Sequence, residues 1–496
     1  MVITEMDNLP ASWITCDLKT LLTSLESGSR PKGGVRGIKE GIPSIGAEHL
    51  SYKGTFDFSS IKYVPEEFAT QMHKGRIKKN DILIVKDGAT TGKTAFVDEK
   101  FPFDDAVINE HVFICRPSPL VEPRFLFRYL MSKEGQERIL ENFQGSAQGG
   151  INLSFAPNTE VPVASLPEQR RIVAKLELLL AKVEACQERL NKIPAILKRF
   201  RQSVLAAACS GRLTTDWREA GAAPESAKEF LAHTHDLRRQ IWNKRKKKGA
   251  KRKYPEPDDF DSADLPDLPE SWEWTSADAV CSQITDGEHI QPPYQSEGHP
   301  MLSAKHVRDG FVTLDSAGLI SETDFRKALK RCEPREGDIL IVSVGATTGR
   351  VAIVENCPPF AIVRSVLLLK PLIPARFFLR WVQSSWCFTW MTQASGASAQ
   401  PHLYIKDTKR MPVPLPPLAE QEESVRRVEA LFKIADQIEE RYKKAKAYID
   451  KLTQSILAKA FRGELVPHDS NDEPALELLD RIKEECEKSQ KAIRKH

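Results

Sequence analysis

Residues 165–211 read SLPEQRRIVAKLELLLAKVEACQERLNKIPAILKRFRQSVLAAACSG. Apolar side chains recur there in alternating steps of three and four: Val173, Leu176, Leu180, Val183, Cys186, Leu190, Ile193, Leu197, Phe200 and Val204. That spacing lays one apolar stripe along an α-helix. Roughly 43 residues at about 1.5 Å each make a rod of about 65 Å, which cannot bury its own stripe and needs a partner helix. The chain carries one. Residues 417–463 read PLAEQEESVRRVEALFKIADQIEERYKKAKAYIDKLTQSILAKAFRG, and a single offset of 252 matches Glu168/Glu420, Gln169/Gln421, Gln202/Gln454, Ser203/Ser455, Leu205/Leu457 and Gly211/Gly463 without a gap. Two such copies packed about a pseudo-two-fold axis run antiparallel. The seam is expected to hold Leu176, Val183, Leu190, Leu197 and Val204 of the first copy. From the second it takes Val428, Ala435, Ile449 and Ile456, with Ile438 on the same stripe. Ser165 and Glu168 have capping-box spacing, Pro417 suits a first turn, and Gly211 and Gly463 suit C-terminal caps. Pro194 predicts a kink or short break at residues 191–194.

Outward from the helices, the duplication continues. Asp81-Ile-Leu-Ile-Val85 reads as a buried strand, Gly88-Ala-Thr-Thr-Gly92 as a turn, and residues 94–97 as the returning strand of a hairpin. The same sentence recurs at residues 338–342 and 345–349, offset by 257. LPASW at 9–13 is echoed by LPESW at 268–272, offset by 259, and Ser146-Ala-Gln148 by Ser398-Ala-Gln400, offset by 252. The offset drifts by seven within the strand-rich segments and not at all along the helices, so the helices hold a length while the loops differ. Helical spacing also marks residues 123–143, 225–243 and the tail after Gly463. Residues 244–253 hold eight basic residues in ten, followed by an acidic, proline-rich stretch at 255–270. The expected fold is α+β: two strand-rich mixed α/β domains (1–160 and 267–414) joined by two long antiparallel helices (161–213 and 415–463). A connector (214–266) and a helical tail (464–496) complete the chain.

At 496 residues, with 41% hydrophobic and 28% charged residues, the chain can build two or three real cores. A net charge of +4 neither requires nor excludes a polyanionic partner. The nine cysteines form no CxxC pair, which fits a reducing cytoplasm. No apolar leader opens the sequence and no run nears about 18 uncharged apolar residues, so neither a signal peptide nor a membrane span is expected.

The ordered repeat resembles the specificity subunit of type I restriction-modification enzymes. The resemblance rests on LPEQRRIV (166–173) with LAEQEESV (418–425), and on IPAILKRFRQSVLAAACSGRLT (193–214) with KLTQSILAKAFRGELV (451–466). The paired LPxSW and DILIV…GATTG segments add to it. It implies two target-recognition domains, each reading half of a split, asymmetric double-stranded DNA sequence, and helices that act as spacer and docking surface. It implies two modification subunits that bind S-adenosylmethionine and two restriction subunits that use ATP and Mg²⁺, in a prokaryotic cytoplasm. No catalytic site, cofactor or metal would reside in this chain.

Candidate contacts follow from the loops. DGATTGKT (87–94) looks like a phosphate-binding loop of nucleotide hydrolases but fails on register, because Asp87 stands where glycine is needed. It reads either as a hairpin turn that needs glycine or as a loop whose main chain approaches DNA. In the second reading Lys86, Thr90, Thr91 and Lys93, and in the second copy Ser343, Thr347, Thr348 and Arg350, supply contacts. GSAQGGIN (145–152) and GASAQPH (396–402) place Gln148, Asn152, Gln400 and His402 beside glycines, where amides could reach adenine edges or simply serve turns. CPPF (357–360) and QPPY (291–294) resemble the tetrapeptide of amino-methyltransferases. Cys357 lacks the needed carbonyl, and no glycine-rich S-adenosylmethionine loop accompanies Gln291. The histidines show no metal-ligand spacing. A coiled-coil adaptor whose two heads bind proteins is the competing reading.

Overall fold

The computed structural model describes residues 9–145, 149–221, 225–245, 253–262, 265–396 and 401–493. It divides into two compact units, residues 1–191 with 443–496, and residues 192–442.

In the first unit the DILIV run forms the strand Ile82–Val85, third in an antiparallel sheet ordered Leu22–Ser27, Val112–Pro117, Ile82–Val85, Thr94–Phe96. Alternate residues leave opposite faces of a strand. Ile82 and Ile84 enter a core with Phe113, Phe125 and Phe155, whereas Leu83 and Val85 enter another with Ile45, Ala95 and Ile114. Burial on both faces is why the run is apolar throughout. A second sheet is ordered Lys62–Val64, Ile42–Ile45, Val107–Ile108, its last pair parallel. Ile14–Asp17 pairs with Glu160–Val163, which delivers the chain to the first long helix.

The second unit repeats this topology: Cys281–Asp286, Val366–Pro371, Ile339–Val342, Val351–Ile353 in one sheet, and Gly318–Ile320, His299–Leu302, Ala361–Ile362 in the other. Its two-stranded ribbon pairs Glu273–Ser276 with Pro412–Leu415. The hairpin register matches as well, Ile82↔Phe96 against Ile339↔Ile353.

The long helices span Leu166–Cys209 and Leu418–Phe461, 44 residues each. The break expected at Pro194 is absent, and the helix runs through it. Pro194 sits at an exposed position, where water can take the carbonyl bond that its missing N–H leaves open. In the second unit Arg201 binds Asp436 and Glu439 at 2.7 and 2.8 Å, and Thr214, just past the helix end, reaches Glu420 at 2.7 Å. The partner number falls as the first helix advances, so the two run antiparallel there. Leu176, Val183, Leu197, Val204, Val428, Ala435 and Ile456 are buried. Leu190 and Ile449 are half-buried. Cys186 and Ile438, expected in the seam, are exposed, Ile438 by 42%. A single facing helix covers a narrow seam, and the stripe drifts off it.

Each head is closed by a further helix. In the second unit the connector helix Ala227–Arg245 buries Phe230 in the head core, and Arg238 bonds the Cys281 carbonyl at 3.3 Å and Asp278 at 3.0 Å. In the first unit the tail helix Ala475–Ile493 does the same, with Leu478 and Ile482 in the core beside Leu18 and Leu21. Of the basic run 244–253, residues 246–252 lie outside the described residues.

Candidate nucleic-acid interface

In the first head the strands Ile82–Val85 and Thr94–Phe96 are joined by residues 86–93. Gly88 and Gly92 have φ of 85° and 87°, a conformation that side chains other than glycine's rarely allow. The Thr91 hydroxyl donates to the Gly88 carbonyl at 2.7 Å, so it serves the turn. The second glycine-rich loop lies alongside: Gly88 N–H donates to the Gly149 carbonyl at 3.1 Å and Ile151 N–H to the Lys86 carbonyl at 2.7 Å. Two loops picked out separately in the sequence therefore form one surface. On it, Lys86 Nζ lies 5.7 Å from the Phe113 ring centre, Lys93 Nζ lies 4.7 Å from that of Tyr52, and Thr90 is half-buried. Asn152 is exposed, but its Oδ1 accepts from Ser154 N–H at 2.8 Å in a local turn, which leaves only its amide donors outward. Gln148 lies outside the described residues.

The second head repeats the arrangement. Leu403 N–H donates to the Ser343 carbonyl at 2.8 Å and Gly345 N–H to the Pro401 carbonyl at 3.4 Å. Thr348 Oγ1 donates to the Gly345 carbonyl at 2.7 Å, as Thr91 does to Gly88, and Thr347 is half-buried. Arg350 lies 3.7 Å from Asp309, and the His402 ring packs 4.1 Å from that of Tyr404. Ser343 requires a correction. It is 1% exposed and its hydroxyl donates to the Arg364 carbonyl at 3.4 Å, because the residue after an all-buried strand still points into the head. Gln400 lies outside the described residues.

Sequence reasoning overlooked a third component. Residues 28–41, GSRPKGGVRGIKEG, carry Arg30, Lys32, Arg36 and Lys39 exposed among glycines. Arg30 Nε reaches Glu110 Oε1 at 2.9 Å, His111 Nε2 lies 3.4 Å from the same oxygen, and His111 Nδ1 lies 2.6 Å from Asp87 Oδ1. These contacts tie the basic loop to the hairpin. The interleaving of cations with glycines was the available signal. In the second head, Arg331 and His289 bond Asp286 at 2.6 and 2.9 Å, at the foot of the equivalent loop. Burial pushes the Asp286 carboxyl up, but these two partners outweigh it and hold the carboxyl below its ordinary range. Among the described residues no group of histidine, cysteine and carboxylate side chains could hold a metal ion, and no helix is long and apolar enough to cross a membrane.

Paired heads with glycine-bounded, cation-bearing loops can approach a phosphate backbone and present side chains to base edges. The family model described as type I restriction modification DNA specificity domain matches residues 13–195 and 293–447. The chain belongs to the type I DNA specificity family. Among family members, it is 36% identical over 348 residues to the EcoBI specificity subunit of Escherichia coli, covering 66% of this chain and 65% of that one. It is 31% identical to the Escherichia coli EcoDI specificity subunit, covering 74% and 78%. The EcoKI specificity subunit of Escherichia coli strain K12 matches at 27% identity across 96% of both. The HsdS subunit from Thermoanaerobacter tengcongensis shares the fold, with a TM-score of 0.54 at 20% identity over 92% of this chain and 98% of its own. So does a chain from a structure of type I restriction-modification complex assembly, with a TM-score of 0.59 at 19% identity, over 92% and 99%.

Proposed function

We propose that this chain is the sequence-reading subunit of a type I restriction-modification complex and recognises a bipartite, asymmetric double-stranded DNA target. One observation carries the reading: two heads of identical strand order and hairpin register present different side chains at matched loop positions. Asp87, Glu110 and His111 in the first correspond to Val344, Arg364 and Ser365 in the second. Equal scaffolds with unequal tips read unequal half-sites. The helices set the distance between them. Two modification subunits, carrying S-adenosylmethionine, and two restriction subunits, using ATP and Mg²⁺, supply the chemistry, and this chain supplies none. A protein-binding adaptor would not need a cation beside the glycine-bounded hairpin loop of both heads, Lys86 and Lys93 in the first and Arg350 in the second.

The test is a genome-wide map of methylated adenines in cells carrying the chain with its modification subunit, against cells lacking only the chain. A split, asymmetric motif that vanishes with the chain is expected. Methylation unaffected by the chain would overturn the reading. Four residues inserted into either long helix should lengthen the spacer and leave both half-sites intact.

A further inference from the structure

In both heads a three-residue link joins a short strand to a long one: residues 109–111 between Val107–Ile108 and Val112–Pro117, and residues 363–365 between Ala361–Ile362 and Val366–Pro371. The two links are locked by the same backbone bonds. Asn109 N–H donates to the Ile45 carbonyl at 3.0 Å and Val363 N–H to that of Leu302 at 3.0 Å. Lys86 N–H donates to the His111 carbonyl at 2.9 Å and Ser343 N–H to that of Ser365 at 2.9 Å. The middle residue of each link is thus held at one place on one scaffold, beside the glycine-bounded hairpin loop. Its charge is reversed: Glu110 in the first head, Arg364 in the second.

The two side chains are left in different states. Arg30 and His111 lie at ion-pair distance from the Glu110 carboxylate, whose two oxygens carry more lone pairs than two contacts can use. Arg364 is exposed, and among the described residues no side chain binds its guanidinium. Its main chain is fixed instead, with N–H donated to Glu288 at 3.0 Å and the carbonyl accepting from buried Ser343. A rigid main chain under an uncommitted guanidinium suits paired donation to the O6 and N7 of guanine. A carboxylate accepts only, and among base edges in the major groove it suits the exocyclic amine of cytosine or adenine.

We infer that residues 110 and 364 are matched base-reading positions, Arg364 selecting guanine in one half-site and Glu110 selecting an amine-bearing base in the other. The inference rests on the proposed DNA-reading function. The test is the methylated-adenine map repeated with Arg364→Gln and Glu110→Gln, each variant expressed with the modification subunit and checked for unchanged thermal melting of the complex. Arg364→Gln should relax a guanine at one position of one half-site by about ten-fold, and Glu110→Gln should relax one cytosine or adenine in the other half-site. An unchanged motif in both variants overturns the inference alone. So does a uniform fall in methylation at every site, which is the signature of a phosphate contact. Absence of any motif due to the unaltered chain overturns this inference together with the function beneath it.

Discussion

The two long helices begin at matched joints, and the joints are held differently. At the second, Glu420 in the first turn is 0% exposed. Its carboxylate accepts from Thr214 Oγ1 at 2.7 Å, from Trp272 Nε1 at 2.9 Å and from the Arg218 guanidinium. At the first, Glu168 is 2% exposed and its charge faces His468, whose Nδ1 lies 2.7 Å away at ion-pair distance without hydrogen-bond alignment. Trp13, the counterpart of Trp272, is buried, and among the described residues its indole N–H has no hydrogen-bond partner. The offset of 252 explains the difference, since it places Val466 and Ser470 at the first joint where the second joint has Thr214 and Arg218. The first joint holds a separate pair: Asp472 accepts from Ser165 at 2.9 Å and from Arg171 at 2.7 Å. A duplicated backbone does not duplicate its charge balance. A buried carboxylate costs several kcal/mol unless partners replace its water, and each copy found its own partners.

Removing the partners separately should sharpen that contrast. Arg218→Ala leaves Glu420 buried without its cation and should destabilise the second unit by about 3–5 kcal/mol. His468→Ala should cost the first unit only about 1 kcal/mol, because His468 is 43% exposed and poorly aligned. Urea unfolding of the full chain, followed by hydrogen exchange in residues 166–172 and 418–424, measures both, and equal losses would break the comparison. The tryptophans give a smaller difference. Trp272→Phe loses a bond to a charged group and should cost about 1.5–3 kcal/mol more than Trp13→Phe, in which no bond is lost and only packing changes. Similar melting shifts for the pair would show that Trp13 has a partner after all.

The smallest effect is in acid. The bond from Arg171, with that from Ser165, holds the Asp472 carboxyl below its ordinary range. Its folded value lies under its unfolded one. Its stabilisation is therefore complete above about pH 4 and is lost as pH falls through the depressed folded value. The Tm gap between the natural chain and Asp472→Asn should be present at neutral pH and close in acid. A gap that widens on acidification would reverse the assignment.

Much of the fold was legible because it is written locally. Helical periodicity, the all-apolar DILIV runs and the glycines of the GATTG turns each report a conformation from neighbouring residues, and a constant offset reports the repeat. What escaped depends on distant partners. Nothing near Glu168 announces His468, and nothing near Glu420 announces Arg218 or Trp272. The Pro194 rule held for buried helix interiors, not for an exposed turn. At the candidate interface, the turns of the loops were legible and the contacts of individual side chains less so. Thr91 and Thr348 close turns, Asn152 spends its oxygen locally, and Ser343 faces inward, because small polar residues near glycine serve the backbone as readily as a ligand. The charge reversal between Glu110 and Arg364 became visible only when matching backbone bonds aligned the two links.

The closing helices set an order of assembly. The second unit is one continuous stretch, residues 192–442, and its connector helix is made before the head it covers. The first unit waits. Phe461, whose ring meets those of Phe125 and Tyr129 at 5.3 Å, and the tail helix Ala475–Ile493 are synthesised only after the whole second unit. Domains fold as units as they leave the ribosome, and contacts distant in sequence close slowly. The half of the molecule begun first is therefore finished last, and a chain cut short after residue 442 would retain every residue of the second unit while its first reading head lacked its floor.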